Sequence, residues 1–218
     1  MGSRTGVFIT LEGGEGSGKT TQGLRLSEHF RAQGYEVVET REPGGTEAGE
    51  VVRDLLLHRV DSLDPRAELA LYLASRAQLA SEVIRPALER GAAVICDRFG
   101  DSSTAYQGGG RDLGIDFVET MNDWATCGVT PDLTFYFDVA PEEGLARREG
   151  RAGGTEDLDR MEREALVFHE RVRAAYREIA AKHPDRFRVI PTDGGPDEVW
   201  ARVLAAIADR LVDGKARP

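Results

Sequence analysis

One stretch constrains this chain more than any other: Gly13-Gly14-Glu15-Gly16-Ser17-Gly18-Lys19-Thr20. It has the spacing of a phosphate loop, a Gly, four residues and then Gly-Lys-Thr. An apolar run over 7–11 precedes it and a helix-like segment over 21–33 follows it. Strand, glycine loop and helix in that order make an anion site for a plain physical reason. Glycines let the backbone curl until successive N–H groups face inward, and the helix adds the positive end of its dipole. Lys19 then supplies a mobile charge for the β- and γ-phosphates of a nucleotide, and the Thr20 hydroxyl is a ligand for Mg2+. A flexible turn ending in a chance Lys-Thr would not need those flanks. The loop alone does not say what receives the phosphoryl group.

Five short apolar runs, at 7–11, 35–40, 92–96, 133–139 and 187–191, alternate with helix-like stretches. That alternation predicts an α/β fold, a mainly parallel five-stranded sheet with helices on both faces. A length of 218 residues suits a single domain over 1–218, and no linker or repeat divides it. In such sheets ligands bind at the carboxyl ends of the strands. Chemistry is therefore expected just after positions 11, 40, 96 and 139. A formal net charge of -10 argues against DNA or RNA as the main ligand. No apolar run approaches the length of a membrane span, and the N-terminal residues lack the apolar core of a signal peptide. A cytoplasmic protein without a membrane partner is expected. The two cysteines, Cys96 and Cys127, are too few for a disulfide scaffold, and Cys96 falls in a predicted buried strand.

The second strand leads into Arg41-Glu42-Pro43-Gly44-Gly45-Thr46, a turn that places Thr46 to cap the next helix. Arg53, about two turns into that helix, reads from pattern alone as a solvated surface residue. The helix predicted over 66–88 is more informative. Its apolar stripe runs through Leu69, Tyr72, Leu73, Leu79, Ala80, Val83, Ala87 and Leu88, with Arg76 in the middle. An arginine there either snorkels or points into a lined pocket with acceptors, because burying it unpaired is expensive. The pocket is favoured, with a nucleobase carbonyl or a phosphate as the acceptor.

After the third strand come Asp97-Arg98-Phe99 and then Asp101-Ser102-Ser103-Thr104-Ala105-Tyr106-Gln107. An Asp ending a strand beside a phosphate loop can hold Mg2+, and an Arg beside it can bridge donor and acceptor phosphates. Singly, Asp97 is an ordinary turn residue and Tyr106 an ordinary packing residue. As a set, these polar groups exceed what a helix start requires. After the fourth strand a helix is predicted over 141–150 that carries Arg147 and Arg148, followed by Arg151-Ala152-Gly153-Gly154, and Arg151 shares the Arg147 face if the helix persists. A basic, glycine-flanked lid over about 142–158 would keep water from a transferring phosphoryl group, whereas the plainer alternative is a solvated helix end. Two later helices, marked by Met161, Ala165, Phe168, Val172, Ala175, Tyr176 and Ile179 and by Trp200, Val203, Leu204, Ile207 and Leu211, read as core packing. His169 and His183 read as ordinary surface or edge residues, His29 and His58 have no partner pattern, and there is no metal-ligand spacing of His or Cys.

In combination these segments resemble the bacterial type of thymidylate kinase. The resemblance rests on Phe8-Ile9-Thr10-Leu11-Glu12-Gly13 with the glycine loop, Arg41 to Thr46, the Arg76 helix, Asp97-Arg98-Phe99, Ser102 to Arg111, and Asp159-Arg160 at the start of a long helix. It covers nearly the whole chain in order. It implies the P-loop nucleoside monophosphate kinase fold and a homodimer. It implies that Gly13, Gly14, Glu15, Gly16, Ser17, Gly18, Lys19 and Thr20 hold ATP, and that Glu15 approaches the 3′-hydroxyl of dTMP. Arg76 and Gln107 would read the thymine, helped by Ser103, with Tyr72 stacked on the base. Tyr106 would crowd a 2′-hydroxyl and favour deoxyribose. Arg53 and Arg98 would bind the acceptor phosphate, which reverses the pattern reading of Arg53. Asp97 would organise Mg2+. In relatives the position after the loop acid is Arg or Gly, and where the Arg is missing the lid supplies the cation. Gly16 therefore directs attention to Arg147, Arg148 and Arg151, with Arg151 first because it is nearest the glycines.

The expected reaction is phosphoryl transfer from ATP to dTMP, giving ADP and dTDP for dTTP synthesis. Catalysis would be in-line positioning and charge stabilisation by Lys19, Mg2+, Arg98 and the lid arginines. One alternative is another nucleoside monophosphate kinase of the same fold, against which Arg76, Tyr106 and Gln107 argue. The other is a non-catalytic nucleotide switch, although no Asn-Lys-x-Asp guanine-reading motif is present.

Overall fold

The computed structural model describes residues 5–152, 159–212 and 215–216, and the side chains of 5–147 and 159–209. At its centre is β1 (Val7–Glu12), buried along its whole length. A strand with no polar face belongs between neighbours and under helices on both sides. The sheet order is β2–β3–β1–β4–β5, with β2 (Val37–Arg41), β3 (Ala93–Asp97), β4 (Leu133–Asp138) and β5 (Phe187–Pro191) all paired in parallel. Leu11 pairs with Asp97, Arg41 with Asp97, and Glu12 with Tyr136, so the polar strand ends line up along one edge.

The strands' two faces feed separate cores. Val7, Ile9 and Leu11 join Phe135 and Phe137 and pack against Leu26 and Phe30 of α1 (Lys19–Ala32) and Val199, Val203 and Ile207 of α9 (Pro196–Arg210). Phe8, Val94 and Cys96 face the other way, onto Leu79, Ile84 and Leu88. Each such fully buried side chain contributes about 1.5–3 kcal/mol. Cys96 is wholly buried, as expected.

Local signals set the helix starts. Thr46 Oγ1 accepts the Gly49 N–H at 3.0 Å and caps α2 (Glu47–Asp54). Asp64 Oδ1 accepts the Arg66 N–H at 2.9 Å, and Pro65 opens α3 (Pro65–Leu79). The helix expected over 66–88 continues through a wider π turn, Ala80–Ile84, into α4 (Arg85–Glu89). Pro86 offers no N–H to an α ladder, and the widened turn lies just ahead of it. Then follow α5 (Gly100–Ser103) with a π segment, Thr104–Gly110, and α6 (Ile115–Thr126), α7 (Pro141–Ala152) and α8 (Leu166–Lys182).

Some boundaries differ from expectation. Strands β1, β2 and β3 each run one residue further, so Glu12, Arg41 and Asp97 are themselves strand residues. The long helix α8 starts only at Leu166, so Asp159-Arg160 lie in the turn before it, where Arg160 and Met161 are nevertheless buried. A short antiparallel pair, β6 (Leu211–Val212) with β7 (Lys215–Ala216), was not foreseen. Among the described residues no helix is long and apolar enough to cross a membrane.

Candidate active site

The carboxyl edge of the sheet opens into a cavity of about 290 Å³. Its floor is the loop between β1 and α1. Lys19 is buried there, its Nζ donating to Gly13 O at 3.0 Å and Gly14 O at 2.8 Å. Burial and then the nearby Arg98 charge push its pKa down. Thr20, next on the helix, reaches the same cavity.

The turn after β3 is held in an unusual shape. Arg98 has a left-handed backbone, φ 67, which costs a non-glycine residue about 1–2 kcal/mol. Glu12 holds that turn in place from β1. Its Oε1 accepts the Phe99 N–H at 2.8 Å, and its Oε2 accepts the hydroxyls of Ser102 at 2.5 Å and Tyr176 at 2.8 Å. The Arg98 guanidinium then donates to Glu15 Oε1 at 3.2 Å and Ser102 Oγ at 3.3 Å, over the Tyr106 ring at 5.3 Å. Burial, with the Asp101 charge behind it, lifts the Glu12 carboxyl to about 7, against the Ser102 bond and the Arg98 charge.

Arg76 does not snorkel. It is 1 % exposed, and each of its five N–H donors has a protein acceptor. Nε and Nη2 both reach Glu42 Oε2, Nη1 reaches Ser103 Oγ and Asn122 Oδ1, and Nη2 also reaches Phe99 O. A nucleobase or phosphate was the expected acceptor for this fork. Acceptors from four places in the chain satisfy it first, while its side chain still forms part of the cavity wall. Glu42 leaves its Oε1 buried without a hydrogen-bond partner, and burial raises its pKa to about 7 against the pull of Arg76.

Glu15, Lys19, Thr20, Arg53, Tyr72, Arg76, Asp97, Arg98, Ser103, Tyr106 and Gln107 all line this one cavity. Arg53 is half-buried and donates to Pro43 O at 2.9 Å, so the surface residue its pattern implied is in fact part of the wall. Asp97 has a buried Oδ1 with no hydrogen-bond partner, and Thr20 brings an exposed hydroxyl. The described residues contain no cluster of three or more His, Cys, Asp or Glu able to hold a metal ion. The oxygen pair from Asp97 and Thr20 instead suits a hard cation that takes most of its ligands from phosphates and water.

The lid arginines are divided. Arg147 lies on α7, but its guanidinium donates to Thr192 O at 3.0 Å and Glu143 Oε1 at 2.6 Å. The side chains of Arg148 and Arg151 are not among those described, and residues 153–158 of the expected lid lie outside the described residues.

Several site residues escaped the sequence reading. His169 is not an ordinary surface residue: it lines the cavity, and its Nε2 is buried without a hydrogen-bond partner. Burial lowers its pKa. Its spacing to Val172 and Tyr176, three and seven residues on, was the available signal. Asp159, Met161 and Glu162, from the turn before α8, also line the wall. Glu68 is fully buried one helical turn before Tyr72 and two before Arg76, a spacing that placed it on their face.

The family model for thymidylate kinase matches residues 11–203. The chain is 50% identical over 212 residues to a thymidylate kinase of Synechococcus sp. (strain JA-3-3Ab), covering 97% of this chain and 100% of that one. It is 47% identical over 205 residues to one from Deinococcus radiodurans, covering 94% and 98%. A crystal structure of thymidylate kinase from Ehrlichia chaffeensis matches with a TM-score of 0.75 at 36% identity, over 93% of this chain and 98% of that one.

Proposed function

Because the chain belongs to the thymidylate kinase family, we infer that it transfers a phosphoryl group from ATP to dTMP, giving ADP and dTDP. The observation that carries the assignment of roles is the single cavity that joins Lys19 and Thr20 to Arg76, Ser103 and Gln107. A donor's phosphates at the loop and an acceptor's base among the latter residues would bring both substrates together. Gly13 to Thr20 hold the ATP phosphates in this reading. Arg98 and Arg53 take the dTMP phosphate, and Glu15, ion-paired with Arg98, approaches the 3′-hydroxyl. Tyr72 stacks on the thymine, while Ser103 and Gln107 read its edge, and Arg76, its five N–H groups already engaged, has to share one of them to reach the base. Tyr106 lies under Arg98 and crowds the place of a 2′-hydroxyl.

No covalent intermediate is needed, since a phosphate oxygen of dTMP is already an anionic nucleophile. The chain's task is to align the two phosphates and spread the charge that moves between them. Arg98 is preorganised for that by its turn. Thr20 and Asp97 would hold Mg2+, which when bound neutralises charge on the phosphate oxygens. Arg151 ranks first as the lid cation because it is nearest the glycines, with Arg147 and Arg148 as the other candidates.

A homodimer and a cytoplasmic setting complete the reading. Val51 on α2 and Phe117 and Trp124 on α6 are 69%, 53% and 72% exposed, and α3 packs against both helices. Large apolar side chains on neighbouring helices suit a face covered by a second copy. The test of the whole reading is acceptor-stimulated ADP release with dTMP, dUMP, dCMP, GMP and AMP. The expected result is a clear preference for dTMP. Release with none of them would overturn it, and a preference for a purine would move the chain to a sister activity.

A further inference from the structure

We propose that Glu68 is a positioning residue for base choice: it fixes the Gln107 amide so that the carbonyl oxygen, and not the NH2, faces the base. The inference rests on the reading above that Gln107 lies against the base of the acceptor.

Glu68 is fully buried on α3. Its Oε1 accepts from Gln107 Nε2 at 2.8 Å and Arg111 Nε at 3.2 Å. Its Oε2 accepts from Arg111 Nη2 at 3.1 Å and pairs with Arg160 Nη1 at 2.6 Å. Arg111 is itself held by Glu164 at 2.5 Å and by the Phe168 ring at 4.7 Å. Burial opposes ionisation of Glu68, but the bonds from Arg111 and Gln107 and the charges of Arg111 and Arg160 outweigh it and hold the carboxyl below its ordinary range. An ionised carboxylate only accepts hydrogen bonds. Gln107 must therefore offer it an N–H, because the flipped amide would set oxygen against oxygen. The atom left for the cavity is Oε1.

Beside it, Ser103 Oγ accepts from Arg76 Nη1 at 3.1 Å, which leaves its own hydrogen to donate elsewhere. The wall thus presents a donor next to an acceptor. A 2,4-dioxopyrimidine offers the complement, a carbonyl at C4 beside an N–H at N3. A 4-aminopyrimidine offers the reverse, an amino group beside a bare ring nitrogen, and both contacts become repulsive. Such mismatches leave buried polar groups unpaired and discriminate strongly. On this account base choice originates one layer behind the base, in the charge that Arg111 and Arg160 stabilise.

The test is kcat/KM for dTMP against dCMP in the full chain and three variants. Glu68→Gln can show either end of its amide to Gln107, so the dTMP to dCMP ratio should fall about 10- to 100-fold. Gln107→Leu should lower the ratio by a similar factor, and the double variant should go no lower. A folded Glu68→Gln protein with the original ratio overturns the proposal. So does an equal further drop when Glu68→Gln is added to Gln107→Leu, since the effect then does not pass through the amide. If Glu68→Gln does not fold, Gln107→Leu decides, and an unchanged ratio there sinks the idea. Failure of the unaltered chain to use dTMP at all is a different result, and it removes the substrate reading itself.

Discussion

Gly16 and Gly144 meet backbone to backbone, so helix α7 rests directly on the phosphate loop. A Cβ on Gly16 would fall 2.1 Å from the Gly144 carbonyl oxygen, and one on Gly144 would fall 2.3 Å from that of Glu15. Gly16 also has φ +66, where a side chain is strained in any case. Both obstacles are backbone, so no side chain can move aside. Gly16→Ala should cost about 1–3 kcal/mol of stability and lower kcat as α7 is pushed off the loop. Gly14→Ala, with nothing within 4 Å of its Cβ, is the control and should unfold at nearly the original urea midpoint. Equal midpoints for the two variants would show that the contact is not a constraint.

Arg98 combines a strained backbone with a guanidinium fixed by Glu15 and Ser102. Strain of this kind persists where the surroundings enforce it, here through the Glu12 bond to the Phe99 N–H. Arg98→Ala keeps the backbone strain, since alanine also carries a Cβ, and removes only the cation. It should keep the fold and lower kcat by about 10²–10³. Turnover within a few-fold of the unaltered enzyme would remove Arg98 from the phosphoryl path.

Glu12 gives the chain a pH signature. Its folded pKa of about 7 stands above the ordinary 4.5, so the folded state binds the extra proton between those values. Its contribution to stability is complete below pH 4.5 and is lost as the pH rises through 7, a change of up to about 3 kcal/mol. Asp101, Arg98, Ser102 and Tyr176 are the groups that face it. Glu12→Gln cannot titrate, so the stability difference between parent and variant should shrink with rising pH over that window. Urea midpoints at pH 5 and pH 8 that differ by the same amount in both proteins would refute this.

Of the three lid arginines, the side chain of Arg147 is the one that lies within the described residues. Arg147 is engaged with Thr192 and Glu143. Arg151→Ala is expected to lower kcat more than it weakens dTMP affinity, and Arg147→Ala to lower kcat less than Arg151→Ala does. Normal turnover in all three single variants and in the triple variant would place the transferring charge elsewhere.

The periodic parts of the chain were legible in its sequence, and so was most of the cavity. Strands such as Phe187–Pro191 are short apolar runs between helices, and local hydrophobicity settles them. The phosphate loop and the Asp97 to Gln107 array follow strands at the binding edge, so their place follows from topology. What stayed hidden depends on contacts across the chain. Arg76 was recognised as needing acceptors, yet nothing in its helix names Glu42 or Asn122, 34 and 46 residues away. His169 has no metal-ligand spacing in the sequence and so reads as a surface or edge residue. Only the fold turns it toward the cavity.

Arg76 is best tested through the carboxylate it covers. With Arg76 replaced by Met, Glu42 loses both of its hydrogen bonds, and Ser103, Asn122 and Phe99 O lose a donor. Breaking a buried pair from one side costs about 3–5 kcal/mol, because the remaining charge is left without compensation. Glu42 already sits at about 7 with Arg76 beside it, and without the guanidinium its pKa must rise further. The folded variant then takes up a proton over a wider pH range than the parent does. Its deficit in unfolding free energy should therefore be larger at pH 8 than at pH 5. Adding Glu42→Gln should recover part of the loss at pH 8, since no charge is then stranded. A deficit that is flat with pH and unrelieved in the double variant would mean that Arg76 is held by its other acceptors, with Glu42 contributing little.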